Sequence, residues 1–379
     1  MFLPDFSAIT VDVILIAVLG FIFLLQAIYF LVVYGKVAFH KSGPSQNNSQ
    51  PPVSIIICAR NEGDNLTEFL PEVMAQSYPE FEVIVVNDCS YDNTEDVMRE
   101  FSKIFPNLKA ITVKEDGYYT HGKKFALMVG IKGAKYEHLV FTDADCKPAS
   151  KNWLSLMASA FTDKQKIILG YGAYFPEKGF LNKVIRFDTF LIGLQYLSAA
   201  LRKRPYMGVG RNMAYKKELF FKSKSFSSHY HIKSGDDDLF INQVADAENT
   251  GVVVATDAHT ISHPKKTLAE WWRQKQRHLT TAPHYKTGTK ISLGYSFALN
   301  YLFWGLFITC LCFKTTMAIA GGLMFLRWMI MLLIYANAAK RLNEKGIVGL
   351  WFVFDLLFLF IYPALHLTKR FFRPNKWMN

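Results

Sequence analysis

The chain has 379 residues, room for one large domain or two ordinary ones, with a formal net charge of +12 and 51% hydrophobic residues. A basic balance points to nucleic acid, an anionic membrane surface or a phosphate-rich substrate. No zinc-finger spacing is present and the apolar residues crowd towards both ends, which disfavours nucleic acid and predicts a membrane protein.

The first apolar stretch, Val13 to Tyr34, is interrupted only by Gln26 and is long enough to cross a bilayer. Asp5 and Asp12 precede it instead of a basic cluster, and no small-residue cleavage site follows, so an anchor is expected and not a signal peptide. Lys36 and Lys41 put the downstream side in the cytoplasm. Residues 1–41 are thus read as an anchor, 42–51 as a polar linker, 52–289 as a cytoplasmic domain and 290–379 as a second membrane region.

Within the central domain, strands are expected at Val53–Cys58, Phe81–Val86, Ala110–Val113 and His138–Phe141, and helices at Asp64–Ser77, Thr94–Phe105 and Gly122–Ala134. The alternation predicts an α/β fold, a doubly wound and mostly parallel sheet. Phe180–Leu201 has helical apolar spacing with basic residues beside it, and reads either as an ordinary surface helix or as an amphipathic helix at the membrane interface. The tail holds three more apolar segments, Ile291–Phe313, Met317–Ala336 and Ile347–Leu367. The second returns Lys340, Arg341 and Lys345 to the cytoplasm; a third full crossing would carry Lys369, Arg370, Arg373 and Lys376 out, against the charge rule, so that segment is re-entrant or interfacial, or the C-terminus is an exception. Arg327 and Asp355 lie inside apolar segments and should face protein or water.

Ligands of a doubly wound sheet bind at the carboxyl ends of its strands, and there the polar residues gather: Glu62 after the first strand, Asp88 after the second, Asp143 and Asp145 after the fourth. Asp92 among them reads as a turn residue. Asp143-Ala-Asp145 suits Mg²⁺ or Mn²⁺ held through a substrate diphosphate. Gly122 admits a close backbone and Lys123 offers a cation to phosphate at a helix start. The five cysteines, Cys58, Cys89, Cys146, Cys310 and Cys312, match neither a disulfide framework nor a metal knuckle and read as buried thiols. His229 and His231 read as solvated loop residues, and His263 as a weak candidate for the rim of the site.

Val53–Glu62, Val85–Thr94, Gly122–Lys123 and Thr142–Asp145 together resemble the nucleotide-sugar half of the family-2 inverting glycosyltransferases of GT-A fold. Gly208–Lys217 resembles their Gly-rich acceptor-side strand, Ser234–Leu239 the acidic motif holding the catalytic base, and Gln274–His278 the Gln-x-x-Arg-Trp motif of membrane-integrated members. Those members include ceramide glucosyltransferases and cellulose, hyaluronan and poly-N-acetylglucosamine synthases. The resemblance covers about residues 52–285. It implies that Ala59, Glu62 and Asp88 hold the base and ribose of a UDP-sugar, that Lys123 and Asp143 reach the donor, and that Asp145, with Asp143, holds the metal. It implies Arg277 on the diphosphate, Gln274 positioning donor or acceptor, and Asp236 as the base, with Asp237 if the register shifts by one and Asp238 as the helix-side partner. Trp271 is a candidate to line the site and Trp272 reads as packing. His278 stands where the family has Trp, and Asn87 where many members have Asp; the first weakens the case for a processive polymerase. The implied acceptor is a lipid or growing glycan at a bacterial-type cell membrane. A nucleotidyltransferase would need a Gly-rich loop at Ala59–Gly63, and a dinucleotide enzyme a Gly-x-Gly-x-x-Gly; neither is there. A non-catalytic partner of a polysaccharide export system has no use for Asp143, Asp145, Asp236–Asp238 and Arg277 together.

Overall fold

A computed structural model describes residues 10–41, 50–114, 122–232 and 234–369. Most of the expected linker, residues 42–49, and the basic tail beyond residue 369 lie outside them. The chain opens with α1 (Val11–Ala38). An alternating run follows: β1 (Val53–Ala59), α2 (Gly63–Met74), β2 (Phe81–Asp88), α3 (Thr94–Ile104), β3 (Leu108–Val113), α4 (Lys123–Gly133) and β4 (His138–Phe141). These match the expected elements to within a few residues. Then come β5 (Cys146–Pro148), α5 (Trp153–Ala158), β6 (Ile167–Leu169), β7 (Gly172–Tyr174), α6 (Phe180–Leu201), β8 (Met213–Lys216), α7 (Lys217–Lys222) and α8 (Asp238–Val244). The domain closes with β9 (Thr250–Val252), β10 (Thr260–Ser262) and α9 (Leu268–His278).

The main sheet has the order β3-β2-β1-β4-β8-β6-β9. Among the described strands of this sheet β8 alone runs against its neighbours, so the sheet is the mostly parallel GT-A type expected. Every residue of β1 is buried, because helices cover both faces. Its side chains alternate: Val53, Ile55 and Ile57 join α2 and α5 on one face, Ile56 and Cys58 join α4 and α6 on the other. A second small sheet, β5-β10-β7, had no counterpart in the expectations. Its strands are three residues each, too short for a periodic signal.

α6 is not the ordinary surface helix that one reading of its composition suggested; like α1 it is long and apolar enough to cross a membrane. It is packed inside the molecule, with Val184, Phe187, Phe190, Leu194 and Leu197 in the core. Two of its charges are buried in pairs: Arg186 with Glu344 at 2.7 Å and Asp188 with Lys275 at 2.6 Å. A buried charge is tolerated when paired and hydrogen-bonded, and here both partners come from segments far along the chain.

Three further helices follow, α10 (Thr287–Leu311), α11 (Lys314–Arg341) and α12 (Trp351–Thr368). With α1 they are long and apolar enough to cross a membrane, and they expose large apolar side chains such as Phe21, Leu24, Phe325 and Phe360. Arg327, 1% exposed, ties all four together. It donates to Gln26 of α1 at 2.9 Å, to Asn300 of α10 at 2.8 Å and to both carboxylate oxygens of Asp355 of α12 at 2.6 and 3.1 Å. Both polar residues thus face protein, as expected, and the Gln26 that interrupts the first apolar stretch is one of their partners.

The third tail segment has both flanks against the sheet domain. Before α12, Glu344 accepts from Tyr171 and Arg186. At its far end Thr368 accepts from Trp272 and Gln276 of α9, and Lys369 donates to the Leu279 carbonyl at 2.7 Å. Both flanks of α12 therefore contact the sheet domain.

Candidate active site

The loops after β1 and β2 are joined by hydrogen bonds. The Asn61 N–H donates to Ser90 Oγ, the Tyr91 N–H to Asn61 Oδ1, the Glu62 N–H to Thr94 Oγ1 and the Gly63 N–H to Asp92 Oδ2. Asp92 is the turn residue expected. Asn87, where many members have Asp, accepts from the Ser90 N–H at 3.2 Å and so supports the loop. Ala59 and Asp88 are fully buried at the two strand ends, with Arg60 at 3.5 Å from Asp88. Glu62 accepts from Asn65. The three residues expected at the nucleoside therefore share one sheet edge.

Lys123 opens α4 behind Gly122, whose φ of 152° favours glycine. Its ammonium lies 2.7 Å from Asp143 and 3.4 Å from Asp236, bridging the β4 edge and the acidic loop. Burial works against the Lys123 charge, but Asp143, Asp236 and Asp237 outweigh it and hold the ammonium well above its ordinary pKa. Burial likewise works against the Asp143 carboxylate, but Lys123, then Arg211 and Arg277, keep it below the usual range. Asp145 is pushed up, first by burial and then by the Asp143 charge. Ligand atoms of Asp143, Asp145 and Cys146 lie within 4.8 Å of one another. The two carboxylates present the hard oxygens that Mg²⁺ or Mn²⁺ prefers, so the residues fit the expected metal.

The three acids of the next loop part ways. Asp236 is 6% exposed and its Oδ2 has no hydrogen-bond partner. It lines a small closed cavity with Lys123, Thr142, Asp143 and Gly210. Asp237 caps α8, accepting from the Gly210 N–H at 2.8 Å and the Asp238 N–H at 2.7 Å. Burial and the charges on either side push Asp237 up to about 7. Asp238 turns away towards Tyr285, which donates at 2.6 Å, and Thr281. His229 corrects an expectation. It is buried and not solvated, its Nε2 donating to the Gly235 carbonyl at 2.9 Å. The Lys124 ammonium meets the His229 and Ile232 carbonyls at 2.6 and 2.8 Å, so α4 and His229 together hold the acidic loop. His231 is exposed, as expected.

A Thr267–Glu270 capping box starts α9. Gln274 donates to the Tyr174 hydroxyl at 3.3 Å, and the Arg277 charge is felt at Asp143. Trp271 does not line the site: at 1% exposed it is core, with no face left for a ligand. Trp272 packs against the end of α12, as expected. His278 stands exposed at the end of α9. His263 rests on the Phe69 and Phe175 rings beside Glu68 and Glu177. Among the cysteines Cys58, Cys146 and Cys310 are buried, but Cys312 is exposed at the turn before α11. Sequence reasoning passed over Arg211 and Tyr174; the one signal was an arginine directly after Gly210 in a segment noted for its glycines.

Residues 54–222 match the family described as glycosyl transferase family 2. Over 142 residues the chain is 31% identical to "Glycosyltransferase AglE" of Haloferax volcanii, spanning 37% of this chain and 45% of that one. Over 101 residues it is 34% identical to a "Poly-beta-1,6-N-acetyl-D-glucosamine synthase" of Staphylococcus epidermidis, 27% of this chain and 23% of that one. The chain thus spans less than half the length of these curated relatives. Among solved structures, "Mannosyltransferase PcManGT from Pyrobaculum calidifontis in complex with GDP-Man and Mn2+" superposes with a TM-score of 0.55 at 17% identity, over 88% of this chain and 98% of that one. That likeness is one of fold.

Proposed function

We propose, for a chain whose residues 54–222 are a glycosyl transferase family 2 domain using a nucleotide sugar, an inverting transfer from a UDP-sugar to a hydroxyl of a lipid or growing-glycan acceptor at a membrane. The observation that carries this reading is the row Asp143–Lys123–Asp236. One ammonium separates a member of the metal-type pair from a carboxylate that lines the same small pocket and whose Oδ2 makes no hydrogen bond.

The nucleoside would lie at Ala59, Glu62 and Asp88, placing its diphosphate towards Asp143, Asp145 and Arg277. A divalent cation bound by Asp143 and Asp145, as Mn²⁺ accompanies the nucleotide sugar in the mannosyltransferase complex, would neutralise charge on the departing diphosphate. A hydroxyl is a weak nucleophile at neutral pH, so a carboxylate must take its proton as it attacks the anomeric carbon from the face away from the diphosphate. Asp236 Oδ2, which makes no hydrogen bond and has the Lys123 ammonium 3.4 Å away, would take that proton, while Asp237 accepts from two backbone N–H groups. Lys123 faces Asp236 at 3.4 Å, and Gln274, held by Tyr174, would orient a substrate hydroxyl. The anchor helices keep the site beside an acceptor carried in the bilayer, with the domain in the cytoplasm.

The experiment is a panel of UDP-sugars, with GDP-mannose alongside, offered to purified protein and scored by released nucleoside diphosphate. At least one UDP-sugar should turn over, EDTA or Asp145→Ala should stop it, and Asp236→Asn should lose about 10²–10⁴-fold in turnover with donor KM nearly unchanged. An Asp236→Asn enzyme at wild-type rate beside a dead Asp237→Asn would transfer the base to Asp237. Turnover of GDP-mannose alone would overturn the UDP assignment.

A further inference from the structure

Arg211 is held in this site by an unusual share of the surrounding structure and has no role in the mechanism above. Its guanidinium carbon lies 4.4 Å from the centre of the Tyr174 ring, and Nη1 donates to Ser262 Oγ at 3.2 Å. Tyr174 and Ser262 are partners across β7 and β10, and Ser262 is in turn the partner of Cys146 on β5. The small sheet therefore carries the arginine along a row that ends beside Asp145.

The backbone is pinned as well. The Arg211 carbonyl accepts from Thr260 Oγ1 at 2.9 Å. The next residue, Asn212, is fully buried, and its amide donates to the Tyr171 and Ala258 carbonyls while accepting from Trp153 Nε1. Space is cleared for the side chain too. A Cβ on Gly172 would lie 2.3 Å from Arg211 Nε and 2.7 Å from its Cγ and Cδ. Such packing and supporting bonds pre-organise a side chain for binding.

What the guanidinium lacks is an anion. Among the described residues no carboxylate lies within 4.0 Å of it, although its charge reaches Asp143 and Asp145. Of its five N–H donors, the Ser262 hydroxyl takes one. A partly buried cation without a counter-ion at hydrogen-bond distance is poised to take one, and a planar fork of donors matches phosphate oxygens in pairs. Resting on the nucleotide-sugar reading, we infer that Arg211 binds a phosphate oxygen of a substrate diphosphate, with Tyr174 and Ser262 setting its angle. The diphosphate belongs either to the nucleotide donor or to a lipid-linked acceptor, and the two are separable.

The test is binding of UDP, uridine, farnesyl diphosphate and farnesol to the purified full chain in detergent with Mn²⁺, for wild type, Arg211→Gln and Gly172→Ala. Arg211→Gln should weaken UDP about 10- to 100-fold with uridine unchanged if the donor is gripped, or farnesyl diphosphate by that factor with farnesol unchanged if the acceptor is. Gly172→Ala, which displaces the arginine and keeps its charge, should follow the same pattern more mildly. Undiminished binding of both diphosphates in Arg211→Gln would overturn the inference. So would an equal loss for uridine or farnesol, which marks a purely structural residue. A wild-type chain that binds no nucleoside diphosphate and transfers no sugar would remove the underlying functional reading and this one with it.

Discussion

Asp355→Leu isolates the polar contact that joins α1, α10, α11 and α12. It removes two of the four hydrogen bonds made by Arg327, those at 2.6 and 3.1 Å, and leaves the guanidinium with the neutral Gln26 and Asn300. Arg327 is 1% exposed, so water cannot replace the lost carboxylate. Breaking one side of a buried ion pair costs about 3–5 kcal/mol. Polar groups in a bilayer find some partners even when helices separate, which puts the expected loss near the lower end, about 3 kcal/mol. Removing the charge on both sides is a different perturbation. Arg327→Met with Asp355→Leu leaves no stranded ion and should come within about 1 kcal/mol of wild type. The assay is reversible unfolding in mixed micelles with rising SDS, run as a double-mutant cycle. A single Asp355→Leu change that costs less than about 0.5 kcal/mol, or a double variant that loses the sum of the two singles, would refute the staple.

The remaining predictions concern pH and topology. Burial, then the Lys124 charge, lowers His229 to about 4; because the folded state prefers the neutral ring, its stabilising contribution is present above about 6.5 and is lost as pH falls towards 4. Melting temperature should therefore drop between pH 7 and pH 5, and His229→Gln should flatten that slope; an unchanged slope would exclude His229 as the titrating group. Cysteines placed at Lys345 and His366, in a Cys312→Ser background, should both react with an impermeant thiol reagent only when the cytoplasmic face is opened, since both flanks of α12 meet the sheet domain. Native Cys312, exposed at the far turn, should react from outside; labelling of the two introduced cysteines from opposite faces would make α12 a full crossing.

Much of this protein is readable from local order along the chain. The apolar run of α1 and those of the tail are long enough to cross a bilayer, and β1 and β2 are continuously apolar because both faces of their sheet are covered. The carboxylates Glu62, Asp88, Asp143 and Asp145 stand out because each follows such a strand directly. Other features depend on partners that the chain brings in from a distance. Arg186 and Asp188 look like surface charges until Glu344 and Lys275 arrive to neutralise them, and only then does α6 read as interior. Adjacent acids are equivalent on paper. Lys123 from α4 faces Asp236, the Gly210 N–H faces Asp237, and Tyr285 with Thr281 faces Asp238. Arg211 is one basic residue among 43, and its place beside Asp145 exists only after β7 and β10 have paired with β5. Periodicity records which face of an element is buried; which charge meets which is decided by contacts between elements, where burial makes each pairing matter.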